Sequence, residues 1–240
     1  MTSNENNHII NMGENMEEIN FSSSITKERV SLHKYSLGEE LISAISHGLG
    51  AVLAVVCLIL CILVSRNNGM IALTSAIIYG SSLIILYIMS TLYHSFKPNK
   101  AKKVFRIFDH CSIFLLIAGS YTPFTLITLE GLTGWILCGV IWTCAIIGIV
   151  LNSINLEKFK KVSFALYLIM GWAVIFAFNP LIASLASTGL LLLILGGVIY
   201  TLGAIVYLIG RKRKYMHSVW HFFVLGGSIF HFFAIYRFVL

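Results

Sequence analysis

The chain has 240 residues, of which 58% are hydrophobic and 11% are charged, and its formal net charge is +7. A soluble domain usually carries about 25% charged residues. This composition therefore excludes a water-soluble domain and indicates a chain that lies mostly in lipid. Nine of the ten acidic residues are glutamates, and Asp109 is the one aspartate.

The first 37 residues differ in composition from the rest of the chain. They are rich in Asn, Ser and Glu and contain no apolar run long enough to insert into a membrane. They also lack the basic start and short apolar core of a secretory signal. We therefore expect a polar, disordered cytoplasmic tail at 1–37 and a membrane domain at 38–240.

Seven apolar stretches of roughly 19–25 residues follow the tail, each long enough to cross a bilayer as a helix. A membrane barrel is not expected, because it would show shorter segments of alternating polarity. The predicted fold class is all-α, a polytopic membrane protein with a seven-transmembrane-helix bundle. The predicted spans are 41–64, 70–95, 107–129, 132–152, 162–182, 188–209 and 217–238.

Basic residues between the predicted spans give the orientation. Fifteen Lys and Arg residues lie in the tail and in the connections 96–106, 156–161 and 210–214, against two in the alternate positions. The positive-inside rule then predicts a cytoplasmic N-terminus and an outside C-terminus, in the plasma membrane. Attraction of these loops to anionic lipid accounts for the net charge, so no nucleic-acid partner is expected.

Ionisable side chains inside a bilayer are costly, so each of them is a candidate functional residue. Five such residues, from four predicted spans, share one depth near the predicted cytoplasmic surface. These are His47, His94, Asp109, His217 and His221. A further histidine, His231, lies deeper in the last span.

The spacing of these residues is typical of a metal site. His217 and His221 are four positions apart, which places both imidazoles on one helix face, and His94 could supply a third nitrogen. Three such ligands leave an open position, as in catalytic zinc sites. Asp109 could then hold a metal-bound water and accept its proton, and Ser90 could orient that water or stabilise an oxyanion. Two interfacial histidines and an aspartate at a helix start are the alternative interpretation.

Around these residues the sequence resembles the bacterial haemolysin III proteins. This family belongs with the progestin and adipoQ receptors, in a superfamily that includes alkaline ceramidases. The resemblance covers about residues 38–238. It rests on an S-x-x-x-H motif in the second span, an aspartate in the third and an H-x-x-x-H motif in the seventh. The matching runs include Glu39-Glu40, Ser46-His47-Gly48, Ser90-Thr91-Leu92-Tyr93-His94, Asp109-His110 and His217-x-x-Trp220-His221.

The resemblance implies a bound zinc ion and assigns its ligands. Asp109 is expected to reach the ion through water, with Ser90 nearby. The implied zinc ligands are His94, His217 and His221. Three further histidines match family positions and are expected in packing or supporting roles: His47, His110 and His231.

A zinc site open to lipid suits the hydrolysis of an amide or ester bond. The ceramidase-type relatives imply a long-chain membrane lipid as substrate and a role in lipid homeostasis. A receptor or membrane-state sensor with structural zinc is an alternative, because ligand identity alone does not separate structural from catalytic zinc. A cytolytic protein is another, although few polar residues are present to line a pore. A rhodopsin-like pump is excluded, because the last span has no lysine for a Schiff base.

Overall fold

The computed structural model describes residues 30–33, 35–210 and 213–240. Within these ranges every regular element is helical, which confirms the predicted all-α class. A π-helical turn follows the third helix at Phe124–Thr128, and a 3-10 turn precedes the fifth at Ala173–Ala177. The helices are α1 (Leu37–Ser65), α2 (Met70–Ser95), α3 (Lys100–Pro123), α4 (Gly131–Trp172), α5 (Phe178–Ser184), α6 (Ser187–Gly210) and α7 (Met216–Phe238).

Polar caps fix where α1 and α3 begin. The Ser36 side chain accepts a hydrogen bond from the Glu39 N–H, and the Glu39 carboxylate accepts one from the Ser36 N–H, so α1 opens with a capping box. Asn99 caps α3, with its side-chain oxygen 2.8 Å from the Lys102 nitrogen. Both helices begin before the apolar stretches that predict them, because hydropathy does not detect a polar first turn.

Helix α4 folds back on itself at Asn155, whose backbone angles are not helical (φ −160°, ψ 96°). The Asn155 side chain accepts a hydrogen bond from the Lys158 nitrogen, as a helix N-cap does, so a second arm begins there. Across the bend, Asn152 contacts the Ser163 hydroxyl at 2.5 Å and the Tyr167 hydroxyl at 3.3 Å. On a straight helix, residues 11 positions apart would be separated by about 16 Å. The two arms of α4 therefore run side by side.

Six helical segments of the described chain are long and apolar enough to cross a membrane. The fourth of them, Gly131–Ser184, includes both α4 and α5. The predicted spans 132–152 and 162–182 both lie in this segment, one before the bend at Asn155 and one after it. The prediction of a helical membrane bundle is confirmed, while the count of seven spans and the orientation of the termini stay predictions.

The helices pack mainly against their neighbours in the chain, and α1 also packs against α7. One buried apolar cluster joins α1, α2 and α7 through residues such as Tyr79, Leu83 and Ile235. A second cluster joins α3 to both arms of α4 and includes Phe114 and Met170. Many large apolar side chains on the outer faces are exposed, as expected where the surrounding solvent is lipid. This packing brings α1, α2 and α7 together, and their polar ends meet at one end of the bundle.

The end of the predicted tail, 1–37, lies against the bundle. Residues 1–29 and 34 are outside the described ranges, so the disorder and the boundary of the tail stay predictions. Val30 is buried, and the Ser31 hydroxyl donates a hydrogen bond to Glu157 at 2.7 Å. The last residues before α1 therefore contact the bundle directly.

Candidate metal centre

The first turns of α7 carry two of the predicted ligands. Tyr215 precedes the helix in a left-handed conformation (φ 64°), and its N–H donates a hydrogen bond to the Glu39 carboxylate at 2.7 Å. The Ser218 hydroxyl donates to the backbone oxygen of the same glutamate. These bonds tie the start of α7 to α1. On this helix His217 and His221 lie one turn apart, and their Nε2 atoms are separated by 3.2 Å.

His94, at the end of α2, completes a group of three imidazoles. Its Nε2 atom lies 3.2 Å from that of His217. One ligand nitrogen from each of His94, His217 and His221 lies within 4.8 Å of the other two. A tetrahedral ion with bonds of about 2.0–2.1 Å to nitrogen separates its ligands by roughly 3.3 Å. The three rings therefore fit a shared metal ion, and their convergence supports a metal site without identifying the metal.

A carboxylate and an ammonium group lie directly behind His94. The Nδ1 atom of His94 is 2.7 Å from one oxygen of Glu40, on α1. The other oxygen of Glu40 is 2.6 Å from the ammonium group of Lys102, on α3. Three helices thus meet at this candidate ligand.

Aromatic rings enclose the three imidazoles. Trp220 lies 5.3 Å from His217, and Tyr93 lies 4.6 Å from His94, measured between ring centroids. Tyr35, from the segment before α1, packs against the ring of His217. Burial raises the pKa of Tyr35 well above its usual range, so its phenol stays protonated. Uncharged aromatic rings therefore cover the three imidazoles on the side of the segment before α1.

Asp109 and Ser90 lie beside the three imidazoles. Asp109 is buried on α3, with one carboxylate oxygen 3.5 Å from the Nδ1 atom of His110, and it lines the same cavity as His217. The Ser90 hydroxyl lies near Asp109, and it makes no hydrogen bond of ordinary geometry among the described residues. Asp109 offers a proton acceptor and Ser90 offers a hydrogen-bond donor. Their predicted catalytic roles stay predictions.

The other three histidines of the resemblance occupy different positions. The buried ring of His47 lies 3.8 Å from that of His221 between centroids, and both its nitrogens lack partners in the described part of the chain. His110 donates from Nδ1 to the backbone oxygen one turn earlier. The Nε2 atom of His231 lies 3.2 Å from the backbone oxygen of Leu193 on α6. His47 thus packs on a candidate ligand, while His231 joins two helices.

A cavity of about 270 Å³ extends from the ring of His217 into the bundle. Asp109 and His217 line its polar end, and Trp172 and His231 line the far end. Since His231 follows His217 by 14 positions on α7, the two ends are about 21 Å apart. Most of the wall between them is apolar. Such a cavity can hold an apolar chain with a polar group placed at the imidazoles.

The sequence interpretation found the three histidines but missed the residues that hold them. Glu39-Glu40 stands among the matching runs of the resemblance but is given no role there, because acidic residues in the first turn of a helix are common. Lys102 and Tyr35 carry no sequence signal, because their partners are distant in the chain. The missed residues are Tyr35, Glu39, Glu40 and Lys102.

Comparison with known proteins adds independent information. The family sequence model described as "Haemolysin-III related" matches residues 35–232. "Hemolysin-3" of Bacillus cereus is 45% identical over 203 residues, which cover 84% of this chain and 92% of that protein. "Hemolysin-3 homolog" of Bacillus subtilis (strain 168) is 42% identical over 202 residues, or 84% of this chain and 94% of that protein. The human "Monocyte to macrophage differentiation factor" is 32% identical over 173 residues, or 69% of this chain and 70% of that protein.

The fold and the convergent imidazoles define a multi-pass helical membrane protein with a candidate metal centre. The chain belongs to the haemolysin III-related family, and the predicted resemblance is thereby confirmed. The predicted link to progestin and adipoQ receptor-type relatives is confirmed as well.

Proposed function

We propose that the protein is an integral membrane zinc protein that hydrolyses an amide or ester bond of a membrane lipid. One observation carries the proposal. Three imidazole nitrogens converge on one point, and one of the three rings, His217, lines the polar end of a largely apolar cavity that Asp109 also lines. This arrangement can present the head of a lipid to a metal ion and leave its chain in apolar surroundings.

The donor set favours zinc. Three imidazoles suit zinc, whereas magnesium and calcium prefer oxygen ligands. Three protein ligands also leave a fourth position, as in catalytic zinc sites. The ion would polarise a scissile carbonyl and lower the pKa of water. Asp109 would accept the proton of the attacking water at a carboxylate oxygen and return it to the leaving amine or alkoxide as the bond breaks, and the Ser90 hydroxyl would donate a hydrogen bond to the substrate's carbonyl oxygen.

A gap between helices supports a substrate that arrives from the bilayer. The second arm of α4 packs with α3, whereas α6 packs with α7. A hydrogen bond of 3.1 Å from the Trp172 indole to Thr201 bridges the two groups of helices. A side-chain carbon at Gly171 or Gly197 would meet no neighbour within 4 Å. Since both glycines line the cavity, an acyl chain can enter sideways between α4 and α6.

We further propose the seven-span topology with a cytoplasmic N-terminus. The 54-residue segment Gly131–Ser184 would be about 80 Å long if straight, well beyond the roughly 30 Å of a bilayer core. Its bend at Asn155 supports two spans. Basic residues such as Lys102 and Arg106 lie at the imidazole end of the bundle, which supports a site near the cytoplasmic face of the plasma membrane.

A receptor or membrane-state sensor with structural zinc is the second candidate. The covering of His217 by Tyr35 favours it, because a catalytic ion needs access to water. In such a protein, a lipid in the cavity would alter contacts around the imidazoles without being cleaved.

Metal analysis of the purified protein beside its His221→Ala variant tests the proposal, followed by lipid hydrolysis on both samples. We expect about one zinc ion per wild-type chain, and loss of both the metal and the hydrolysis of long-chain amides or esters in the variant. Cys144→Ala is the control, because it removes a thiol that packs in the cluster of α3 and α4. Metal retained in His221→Ala would refute the site, and metal lost without any change in hydrolysis would favour the sensor.

A further inference from the structure

Three ionisable groups from three helices form a chain behind the candidate metal centre, in which His94 and Lys102 are buried and Glu40 is partly exposed. The carboxylate of Glu40 lies between the ring of His94, at 2.7 Å, and the ammonium group of Lys102, at 2.6 Å. Lys102 is only 1% exposed, and it also donates to the backbone oxygen of Phe96 at the end of α2. Both oxygens of Glu40 are thus held in place, one by a ring nitrogen and the other by a fixed cation.

The partner of His94 decides which of its nitrogens can bind a metal. A carboxylate only accepts hydrogen bonds, so His94 donates to Glu40 from Nδ1. In the neutral ring the lone pair is then on Nε2, the atom that lies 3.2 Å from His217. The bond to Glu40 therefore sets both the tautomer and the orientation of the ring before any ion arrives.

No charged group holds the Nδ1 atoms of the other two candidate ligands. The Nδ1 atoms of His217 and His221 are buried and make no hydrogen bond of ordinary geometry in the described ranges, although the backbone of Ser43 lies close to the ring of His221. Their position follows instead from the helix, because residues four positions apart on α7 share one face. His94 thus differs from its two partners, since a charged group outside the ring fixes its ligand atom.

We propose that Glu40, held by Lys102, is a positioning residue of the metal centre that makes His94 the pre-organised ligand. This inference rests on the proposed function only in requiring that the three histidines bind zinc. Carboxylates that hold metal-ligating histidines typically contribute about 10- to 100-fold to metal affinity. Glu40 is expected to do the same without touching the ion.

The competing explanation is that Glu40 only joins α1 to α3 through its ion pair. A double-mutant cycle separates the two explanations, because residues that act through one another are not additive. If Glu40 acts through His94, Glu40→Gln weakens zinc binding in the wild type but has no further effect in a His94→Ala background. If Glu40 acts by holding the bundle together, the two losses add.

The experiment measures zinc affinity by competition with a chromogenic chelator on purified, detergent-solubilised full-length chains that are monodisperse. We expect Glu40→Gln to bind zinc about 10- to 100-fold more weakly than the wild type. The double variant should match His94→Ala within about twofold. Glu130→Gln is the control, because Glu130 is an exposed carboxylate next to the start of α4, away from the candidate ligands and from the segment that carries Tyr35. Its affinity should equal that of the wild type.

A second variant keeps the test decisive if Glu40→Gln folds poorly. Lys102→Met removes the ion pair between α1 and α3 and leaves the bond from His94 to Glu40. We expect its zinc affinity to fall a few-fold, because Glu40 is then held less firmly, and to stay well above the affinity of His94→Ala. A loss as large as that of His94→Ala would overturn the proposal, as would an unchanged affinity in Glu40→Gln. A wild-type chain that binds no zinc would overturn the proposed function itself and this inference with it.

Discussion

The ring of Tyr35 lies face to face with the imidazole of His217, with centroids 4.8 Å apart and planes inclined by 19°. The same ring is 5.8 Å from that of His94, so one side chain covers two of the three candidate ligands. Ser31 anchors the segment nearby, because its backbone oxygen accepts a hydrogen bond from Arg106 and its hydroxyl donates to Glu157. A molecule that moves between the candidate metal centre and this end of the bundle must therefore pass Tyr35.

Removal of this ring is expected to open the site. In Tyr35→Ala, a chelator should extract zinc about 3- to 10-fold faster than from the wild type, because a stacked aromatic pair is lost. Stopped-flow measurement with a coloured chelator reports the rate. Tyr35→Phe keeps the stacked ring and should release zinc at the wild-type rate. Equal rates in the alanine variant and the wild type would show that the ring does not limit access.

Asp109 provides a test that separates binding from turnover. Asp109→Asn keeps the size of the side chain but removes the proton acceptor, so lipid hydrolysis should fall about 10²- to 10⁴-fold. Zinc content, measured on the same sample, should remain at the wild-type level. Glu130→Gln is the control, because Glu130 is an exposed carboxylate next to the start of α4. Loss of zinc from Asp109→Asn would show instead that this carboxylate holds the metal.

The bend of α4 depends on a small buried polar cluster. Asn152→Ala removes the acceptor of the Ser163 hydroxyl and a donor to the Tyr167 hydroxyl, which keeps its own bond to the backbone oxygen of His110. Leaving the buried Ser163 hydroxyl unpaired should destabilise the protein by about 1–3 kcal/mol, seen as a lower melting temperature in detergent. Ser153→Ala is the neighbouring control, because its exposed hydroxyl donates to the backbone oxygen one turn earlier and makes only a long contact, 3.9 Å, with the Cys111 thiol. A similar loss in both variants would contradict a specific role for the cluster.

Close contact between α3 and α4 depends on the absence of a side chain at Gly148. A side-chain carbon there would overlap the ring of Phe114, which is fully buried. Gly148→Ala should therefore lower the free energy of unfolding by about 1–3 kcal/mol. Gly139, on the same helix, has open space around it, so Gly139→Ala should be neutral or slightly stabilising. Thermal unfolding of the two variants side by side checks the difference.

Hydropathy predicted the helices well because a lipid solvent demands long apolar runs, and such runs are visible in the sequence. It predicted their ends less well, because polar caps such as Ser36 and Asn99 set them. The bend at Asn155 follows the same rule: an asparagine that caps a new helix changes the chain direction without any proline or glycine. Local chemistry at these residues, more than apolarity, decides where the helices begin.

Only part of the candidate site could be predicted from the sequence. The four-residue spacing of His217 and His221 is a local pattern, and a helix converts it directly into a shared face. The pairing of His94 with Glu40 spans 54 positions, and only the packing of α1 against α2 brings them together. Such partners cannot be read from local spacing, because they depend on the rotation of one helix against another.

The candidate ligands also bear on how the chain is assembled. His94 lies on α2 and His217 on α7, 123 positions later, so an ion between them would act as a cross-link that closes a very long loop. During synthesis, α7 leaves the ribosome after every other described helix. The three nitrogens can meet only once nearly all of the bundle has been inserted. Ion capture would then mark the completion of folding and add its binding free energy to the stability of the finished bundle.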